Sequence, residues 1–245
     1  MGQAEIRTIV AILLFCYDYA MTDKQQIVYS ALAEKILNVK KDTPILVAIN
    51  GKDGSGKTMM ANILADFLSS RTSREIIRIS VDDFMNSRAV RYTPSESAGR
   101  GCYDYTFNFN AFINNVLQPL QPNGTREYRA KIFDHATDSE SLSPIKKATG
   151  DAIVITDGVF LYKQALVSYW DLKILLTTHD ETVIERGARR DSKRLGSYEL
   201  ARQKYIDRYI ASQTIYYNEE SPEERANIII DNNDVESPLI TKSTD

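Results

Sequence analysis

The sequence predicts a doubly wound, mainly parallel α/β sheet with helices on both faces. Three observations carry that prediction. Apolar runs rich in β-branched residues recur along the chain, with amphipathic stretches between them. Several of these runs are apolar throughout rather than alternating, as strands covered on both faces are. The acids and glycines that punctuate the pattern fall at the carboxyl ends of the runs, where such sheets hold their ligands.

Taken in order, Thr22 to Leu37 is an amphipathic helix, with Ile27, Val28, Ala31, Leu32, Ile36 and Leu37 at helical spacing. Pro44 then precedes Ile45-Leu46-Val47-Ala48-Ile49, which reads as a buried parallel strand. A glycine-rich turn leads into a helix over Thr58 to Ser70. Glu75 to Val81 is the next strand, ending in Asp82-Asp83. Residues 86–110, rich in Tyr, Gly, Ser and Asn, read as irregular. A helix over Ala111 to Leu120 and a short strand over Tyr128 to Phe133 follow. Asp151 to Thr156 is a buried strand ending at Asp157, and Leu172 to Thr177 is another. Glu181 to Lys193 reads as a basic helix and Ser197 to Tyr217 as a tyrosine-rich one. Ala226 to Ile230 is a last strand before a polar tail.

The chain has 245 residues, 43% hydrophobic and 26% charged, enough to bury a core without disulfides or structural metal. No repeat or linker divides it, so residues 21–245 read as a single domain. A formal net charge of -3 gives no sign of a nucleic-acid partner, which would call for a basic stripe. Cys16 and Cys102 show no metal-ligand spacing, and two scattered thiols fit a reducing cytoplasm. Ile9 to Tyr17 is apolar but only nine residues long, whereas a bilayer span needs roughly 20. It also lacks the basic flank and cleavage site of a secretory signal. Residues 1–20 are therefore expected to be an N-terminal extension, with Met21 the functional start. No membrane partner is expected, and a homo-oligomer stays open.

Gly51-Lys52-Asp53-Gly54-Ser55-Gly56-Lys57-Thr58 fits G-x-x-x-x-G-K-[ST] in full, between a buried strand and a helix. Glycines let the backbone turn successive N–H groups inward onto phosphate oxygens, and the helix N-terminus adds partial positive charge. Lys57 would reach the β- and γ-phosphates and Thr58 would ligate Mg2+, so a nucleoside triphosphate such as ATP is the expected ligand. The guanine-reading N-K-x-D of GTPases is absent: Thr177-Thr178-His179-Asp180 stands at that place, and Asp157-Gly158-Val159-Phe160 is not D-x-x-G. Phosphoryl transfer to a small molecule remains. It needs an acid for the acceptor hydroxyl, an acid for the metal shell, and mobile cations.

Asp82 and Asp83 end the second strand, beside the loop if the two strands are adjacent, and Asp82 is the candidate general base. A turn cap is the plainer role for either. Asp157 stands where an acid serves Mg2+, directly or through water. Arg186, Arg189, Arg190, Lys193 and Arg194 place five cations within nine residues, offset only by Asp191. Such a helix repels itself unless an anion lies nearby, so residues 181–196 read as a lid over the phosphates. In that reading Arg186 and Arg190 stabilise transition-state charge and Arg189 holds the nucleotide. An ordinary solvated basic face is the alternative.

These residues resemble the uridine kinase and phosphoribulokinase family of P-loop kinases, in particular a bacterial uridine-kinase-like branch. The likeness runs from about Ile45 to Asp231. It rests on the G-x-x-x-x-G-K-T loop, on Ser80-Val81-Asp82-Asp83-Phe84-Met85 as a strand-end D-x-F motif, and on Gly101 to Phe112 as an acceptor segment. Tyr128-Arg129, Phe133-Asp134, Asp157 to Leu161, Arg189-Arg190-Asp191, Arg208-Tyr209-Ile210 and Ile230-Asp231-Asn232 also fit the branch. The resemblance implies a nucleoside/nucleotide-kinase-like fold with a helical lid, use of ATP and Mg2+, and Asp82 as base. It implies a nucleoside such as uridine or cytidine as acceptor, with Asp83, Phe84, Tyr103, Tyr105, Phe133 and His135 as candidate substrate contacts. Tyr103, Tyr105, Phe107 and Phe133 would stack on a base, while Arg91, Arg129 and His135 would reach its carbonyls or a substrate phosphate. Thr106-Phe107-Asn108-Phe109 replaces the family's N-F-D-H-P stretch, however. Nicotinamide riboside, pantothenate and sugar phosphates therefore stay open as acceptors, and so does a non-catalytic ATP-binding regulator.

Overall fold

In the computed structural model, which describes residues 21–244, a six-stranded sheet carries the molecule. The proposed extension over residues 1–20 lies outside the described residues. The sheet strands are β1 (Ile45–Gly51), β2 (Ile76–Ser80), β3 (Ile153–Gly158), β4 (Leu172–Thr177), β5 (Ile228–Asp231) and β6 (Leu239–Ser243). Their spatial order is β6-β5-β4-β1-β3-β2. All neighbouring pairs are parallel except β5 with β6. β6 corrects the expected polar tail: its alternating, half-exposed residues carry too little apolar signal to stand out, yet pair antiparallel along the edge.

β1 is buried along its whole length and sends alternate residues into two cores. Ile45, Val47 and Ile49 pack with α1 (Asp23–Asn38) and α2 (Lys57–Ser69). Leu46 and Ala48 face the aromatic core of Phe84, Phe112, Phe160, Trp170 and Tyr216. Two-sided burial is why the strand reads as one continuous apolar run. α1 begins with a capping box, Thr22 accepting from the Gln25 N–H and Gln25 from the Thr22 N–H. Gln25 and Thr22 also donate to the carbonyls of Val235 and Glu236, tying the start of the helix to the loop after β5.

The stretch expected to be irregular holds a helix, α3 (Ala98–Tyr105), capped by Ser97 accepting from the Arg100 N–H. Its glycines and tyrosines hide the periodicity, and close packing on a later helix supplies the stability; a Cβ at Gly99 would lie 2.6 Å from Ala211. The single strand expected over Tyr128 to Phe133 is instead two short ribbons, Glu127–Tyr128 with Lys146–Lys147 and Phe133–Asp134 with Ser139–Glu140. Past β4, α4 (Asp180–Leu195) ends at Gly196, with φ of 100°, and Ser197 caps α5 (Tyr198–Lys204). A π-helical turn over Tyr205–Ile210 joins α5 to α6 (Ala211–Glu220), so the long tyrosine-rich helix is continuous but wider in the middle.

Candidate functional site

The site forms at the carboxyl ends of β1, β2, β3 and β4. Parallel register sets Asp157 beside Ile49 on one side and beside Ser80 on the other. The end of β3, the loop after β1 and the turn after β2 therefore meet.

The loop after β1 turns on two left-handed glycines, Gly54 (φ 86°) and Gly56 (φ 92°). Gly51 closes its rear, where a Cβ would lie 2.8 Å from Ser55 Oγ and 2.9 Å from the Leu176 carbonyl. The Lys57 ammonium folds onto the Lys52 carbonyl at 2.8 Å. Ser55 Oγ is buried without a hydrogen-bond partner among the described residues, an unmet polar demand inside the loop. Asn232 Nδ2 braces the loop from the β5 side by donating to the Ser55 carbonyl at 2.7 Å.

Thr58, in the first turn of α2, donates to Asp157 Oδ2 at 2.6 Å. Arg78, from β2, donates to the other oxygen at 2.8 Å and neutralises a carboxylate that is only 2% exposed. Beyond Asp157 the chain turns through Phe160, which holds a φ of 61°, unusual for an aromatic residue. Asn50 and the Tyr216 hydroxyl fix that turn. Asn50 Oδ1 accepts from the Leu161 N–H, and the Tyr216 hydroxyl accepts from both Asn50 and the Tyr162 N–H. A strained conformation of this kind persists only where its surroundings over-determine it.

Two adjoining chambers open above these elements. One, of about 270 Å³, is lined by the glycine loop with Lys57, Thr58, Asp157, Arg186 and Arg190. The other, of about 300 Å³, is walled by Met85, Phe107, Phe160, Tyr205 and Tyr209, with Arg91, Thr106, His135 and Arg194 among its polar groups. Asp53, Asp82, Val159 and Arg190 line both. Asp82 sits in a 3-10 turn over Val81–Phe84, its N–H directed at Ser80 Oγ. Enclosure in the cleft, then the nearby Asp53 and Asp157, push its carboxyl up to about 7 against the pull of Lys57 and Arg190. Its side chain opens onto the cleft, so water there screens part of this effect and a bound ligand would restore it.

Of the residues singled out from the sequence, the structure brings Asp53, Gly54, Gly56, Lys57, Thr58, Asp82, Asp157, Arg186 and Arg190 into one cleft, with His135 at the wall of the second chamber. Arg186 donates to the carbonyls of Asn232 and Asn233 at 3.1 and 2.5 Å. Others are elsewhere, among them Arg129, which donates to the Ser143 carbonyl. Phe84 is fully buried, edge-on to Phe112 at 5.1 Å, because it is the inward residue of its turn. Asp83 points the other way, toward Lys131 at 3.5 Å, and burial lifts its carboxyl despite that partner. Tyr103 is in the core, its hydroxyl donating to Glu220 and its ring 3.5 Å from Lys163 Nζ. Tyr105 lines neither chamber, and Phe133 is buried beneath its ribbon. Arg189 projects from α4 to an ion pair with Glu185, roughly a quarter-turn from the Arg186–Arg190 face.

Most of the second chamber's wall comes from stretches that the sequence marks as motifs, but Tyr205 lies outside all of them. Of the aromatic candidates, Phe107 lines that chamber. Tyr205 and Tyr209 share an i, i+4 spacing that marks a common face, but the π turn decides where that face points. Met85, Cys102 and Phe160 fall inside quoted motifs, but nothing in the sequence marks them as wall residues.

Residues 46–230 match the family model described as Phosphoribulokinase / Uridine kinase family. A uridine kinase from Ligilactobacillus salivarius is 25% identical over 196 residues, 78% of this chain and 86% of that protein. A uridine kinase from Lactiplantibacillus plantarum is 23% identical over 157 residues, covering 64% and 72%. Among solved structures, a possible uridine kinase from Bacillus stearothermophilus superposes with a TM-score of 0.65 at 23% identity, over 82% of this chain and 96% of that one. A D-glycerate 3-kinase from Cryptococcus neoformans gives 0.52 at 13% identity, over 78% and 88%. Those likenesses establish the fold.

Proposed function

The chain belongs to the phosphoribulokinase/uridine kinase family, and from that premise we propose that it transfers the γ-phosphoryl group of ATP to a hydroxyl of a nucleoside, uridine or cytidine first. One observation carries the reading: Asp82 lies at the junction of a phosphate-binding loop and an aromatic-walled chamber, lining both. Transfer requires that the attacking oxygen and the γ-phosphorus meet at one carboxylate, and only a junction residue satisfies both.

In this reading the triphosphate lies along the loop. Backbone N–H groups, the α2 N-terminus and Lys57 hold its oxygens. The acceptor occupies the second chamber, its base against Phe107, Phe160 and Tyr209. Asp82 orients the acceptor hydroxyl and takes its proton as the oxygen–phosphorus bond forms and the bond to the departing ADP oxygen breaks. Arg186 and Arg190 balance the charge that spreads over the transferring group. Thr58 and Asp157 suit Mg2+, since oxygen donors from a hydroxyl and one carboxylate match its preference for few protein ligands plus water and phosphate. With Arg78 already neutralising Asp157, that carboxylate would serve the ion through water. Mg2+ would neutralise the β- and γ-oxygens.

The experiment is ADP release from Mg-ATP against uridine, cytidine, adenosine, nicotinamide riboside, pantothenate and sugar phosphates. Pyrimidine-nucleoside turnover that disappears in Asp82→Asn, with ATP affinity retained, is the expected result. Turnover only with another acceptor would overturn the nucleoside assignment and leave the phosphotransfer chemistry. ATP hydrolysis indifferent to every acceptor would favour the regulator instead.

A further inference from the structure

Arg190 is the one lid cation that lines both chambers, and its guanidinium is held by groups with no direct part in the chemistry described above. Asp191 Oδ1 accepts from Arg190 Nε at 3.1 Å, and Oδ2 from Nη2 at 3.4 Å. The Tyr205 hydroxyl accepts from the same Nη2 at 2.9 Å and donates to Asp191 Oδ2 at 3.1 Å. Arg194 Nη2 adds a further contact to that carboxylate at 2.9 Å. The Tyr205 hydroxyl thus has its single proton committed to Asp191 and a lone pair committed to Arg190, which fixes the direction of the fork. Nη1 of Arg190 makes no hydrogen bond among the described residues and is free for a phosphate oxygen.

The backbone is shaped to admit this cluster. Tyr205 is fully buried and enters against Gly187, where a Cβ would lie 2.0 Å from the ring. The π turn that begins at Tyr205 carries Tyr205 and Tyr209 to the same wall of the second chamber. An arginine without such partners would sample many rotamers and give up that freedom each time it engaged a phosphate.

We propose that Asp191 and Tyr205 are positioning residues that set the Arg190 guanidinium over the junction of the two chambers before either substrate arrives. The lid arginine is then preorganised for the transferring phosphoryl group, and its entropic cost is met in folding rather than in each turnover. Asp191 is suited to holding a guanidinium. Although burial works to raise its carboxyl, Arg190 and Arg194 together bring it below the usual range, so it stays ionised.

This inference rests on the phosphotransfer reading above. The test is a double-mutant cycle on kcat between Tyr205→Phe and Arg190→Ala, with Asp191→Asn as a second probe. Tyr205→Phe keeps the ring against Gly187 and removes only the hydroxyl, so the melting temperature reports whether the fold is intact. The expected result is a fall in kcat of about 10- to 100-fold, with KM for Mg-ATP and acceptor changed less than about threefold. Adding Tyr205→Phe to Arg190→Ala then produces no further loss, a coupling that general loosening of the helix would not produce. A double variant whose loss equals the product of the single losses overturns the proposal, as does a Tyr205→Phe enzyme with parental kcat. The cycle is run on nucleoside-dependent ADP release and on background Mg-ATP hydrolysis in parallel. If no nucleoside is turned over by the parent, the acceptor assignment fails while the coupling is still read on hydrolysis.

Discussion

At the scale of single residues, Asp82 carries the largest consequence. A base must be ionised to accept a proton, and enclosure with Asp53 and Asp157 pushes the carboxyl up to about 7, an effect that water in the open cleft partly screens. Turnover should therefore rise with pH through that region and level off above it, an acid limb displaced well above that of an ordinary aspartate. A kcat/KM profile whose limb lies near pH 4 would contradict the environment described. The same shift acts on stability. A carboxyl raised in the folded state favours folding below its unfolded value of 3.8, and that contribution is lost as pH climbs through about 7. Asp82→Asn should thus melt higher than the parent at about pH 8, with the gap closing toward pH 4. Equal melting temperatures across that range would show the carboxylate to be fully solvated. The sequence singles out Asp82 as a candidate because a strand-end acid near a phosphate loop has few roles. Its neighbour Asp83 was not separable from it, since a 3-10 turn rotates adjacent side chains apart and only the turn's setting says which faces the cleft.

At the scale of elements, the contact between α4 and the π turn decides where the basic helix sits over the cleft. Gly187 is the residue that lets the two approach, so Gly187→Ala forces a methyl into the Tyr205 ring. Overpacking of this sort costs about 1–3 kcal/mol, seen as a drop in melting temperature of roughly 2–4 °C per kcal/mol. Turnover should fall as well, because Tyr205 and with it Arg190 are displaced. A variant with parental stability and activity would show that the helices separate without consequence. The basic helix and the tyrosine-rich helix are both expected from the sequence and present in the structure. The extra residue in the π turn is not expected from it, because no local sequence rule marks where a helix widens.

For the whole molecule, ligand and fold are coupled through the loop after β1. Anything that binds only the folded chain stabilises it, by about 2.7 kcal/mol at a concentration 100 times its Kd. Mg-ATP should raise the melting temperature accordingly, and Lys57→Ala should abolish most of that rise while leaving the unliganded melting temperature near the parent's. The Lys57 ammonium is tied to the loop through the Lys52 carbonyl, so its loss removes little of the core. An unchanged Mg-ATP shift in Lys57→Ala would place the triphosphate elsewhere. Among the described residues no helix is long and apolar enough to cross a membrane.

The sequence by itself determined the parallel α/β architecture, the phosphate loop, and the acids that end β2 and β3. Each of these depends on residues adjacent in the chain: continuous apolar runs, glycines at fixed offsets, an acid following a strand. The tertiary structure alone decided which side chains border the second chamber. Phe84, Tyr103 and Phe133 have the chemistry of base-stacking residues, yet packing turns them away from both chambers, while Phe107, Phe160, Tyr205 and Tyr209 border the second one. The reason is physical: a phosphate is held by one stretch of backbone, whereas a chamber wall is assembled from segments far apart in the chain. Which side chain faces it depends on sheet register, the rotation of each helix, and single points of close approach such as Gly187.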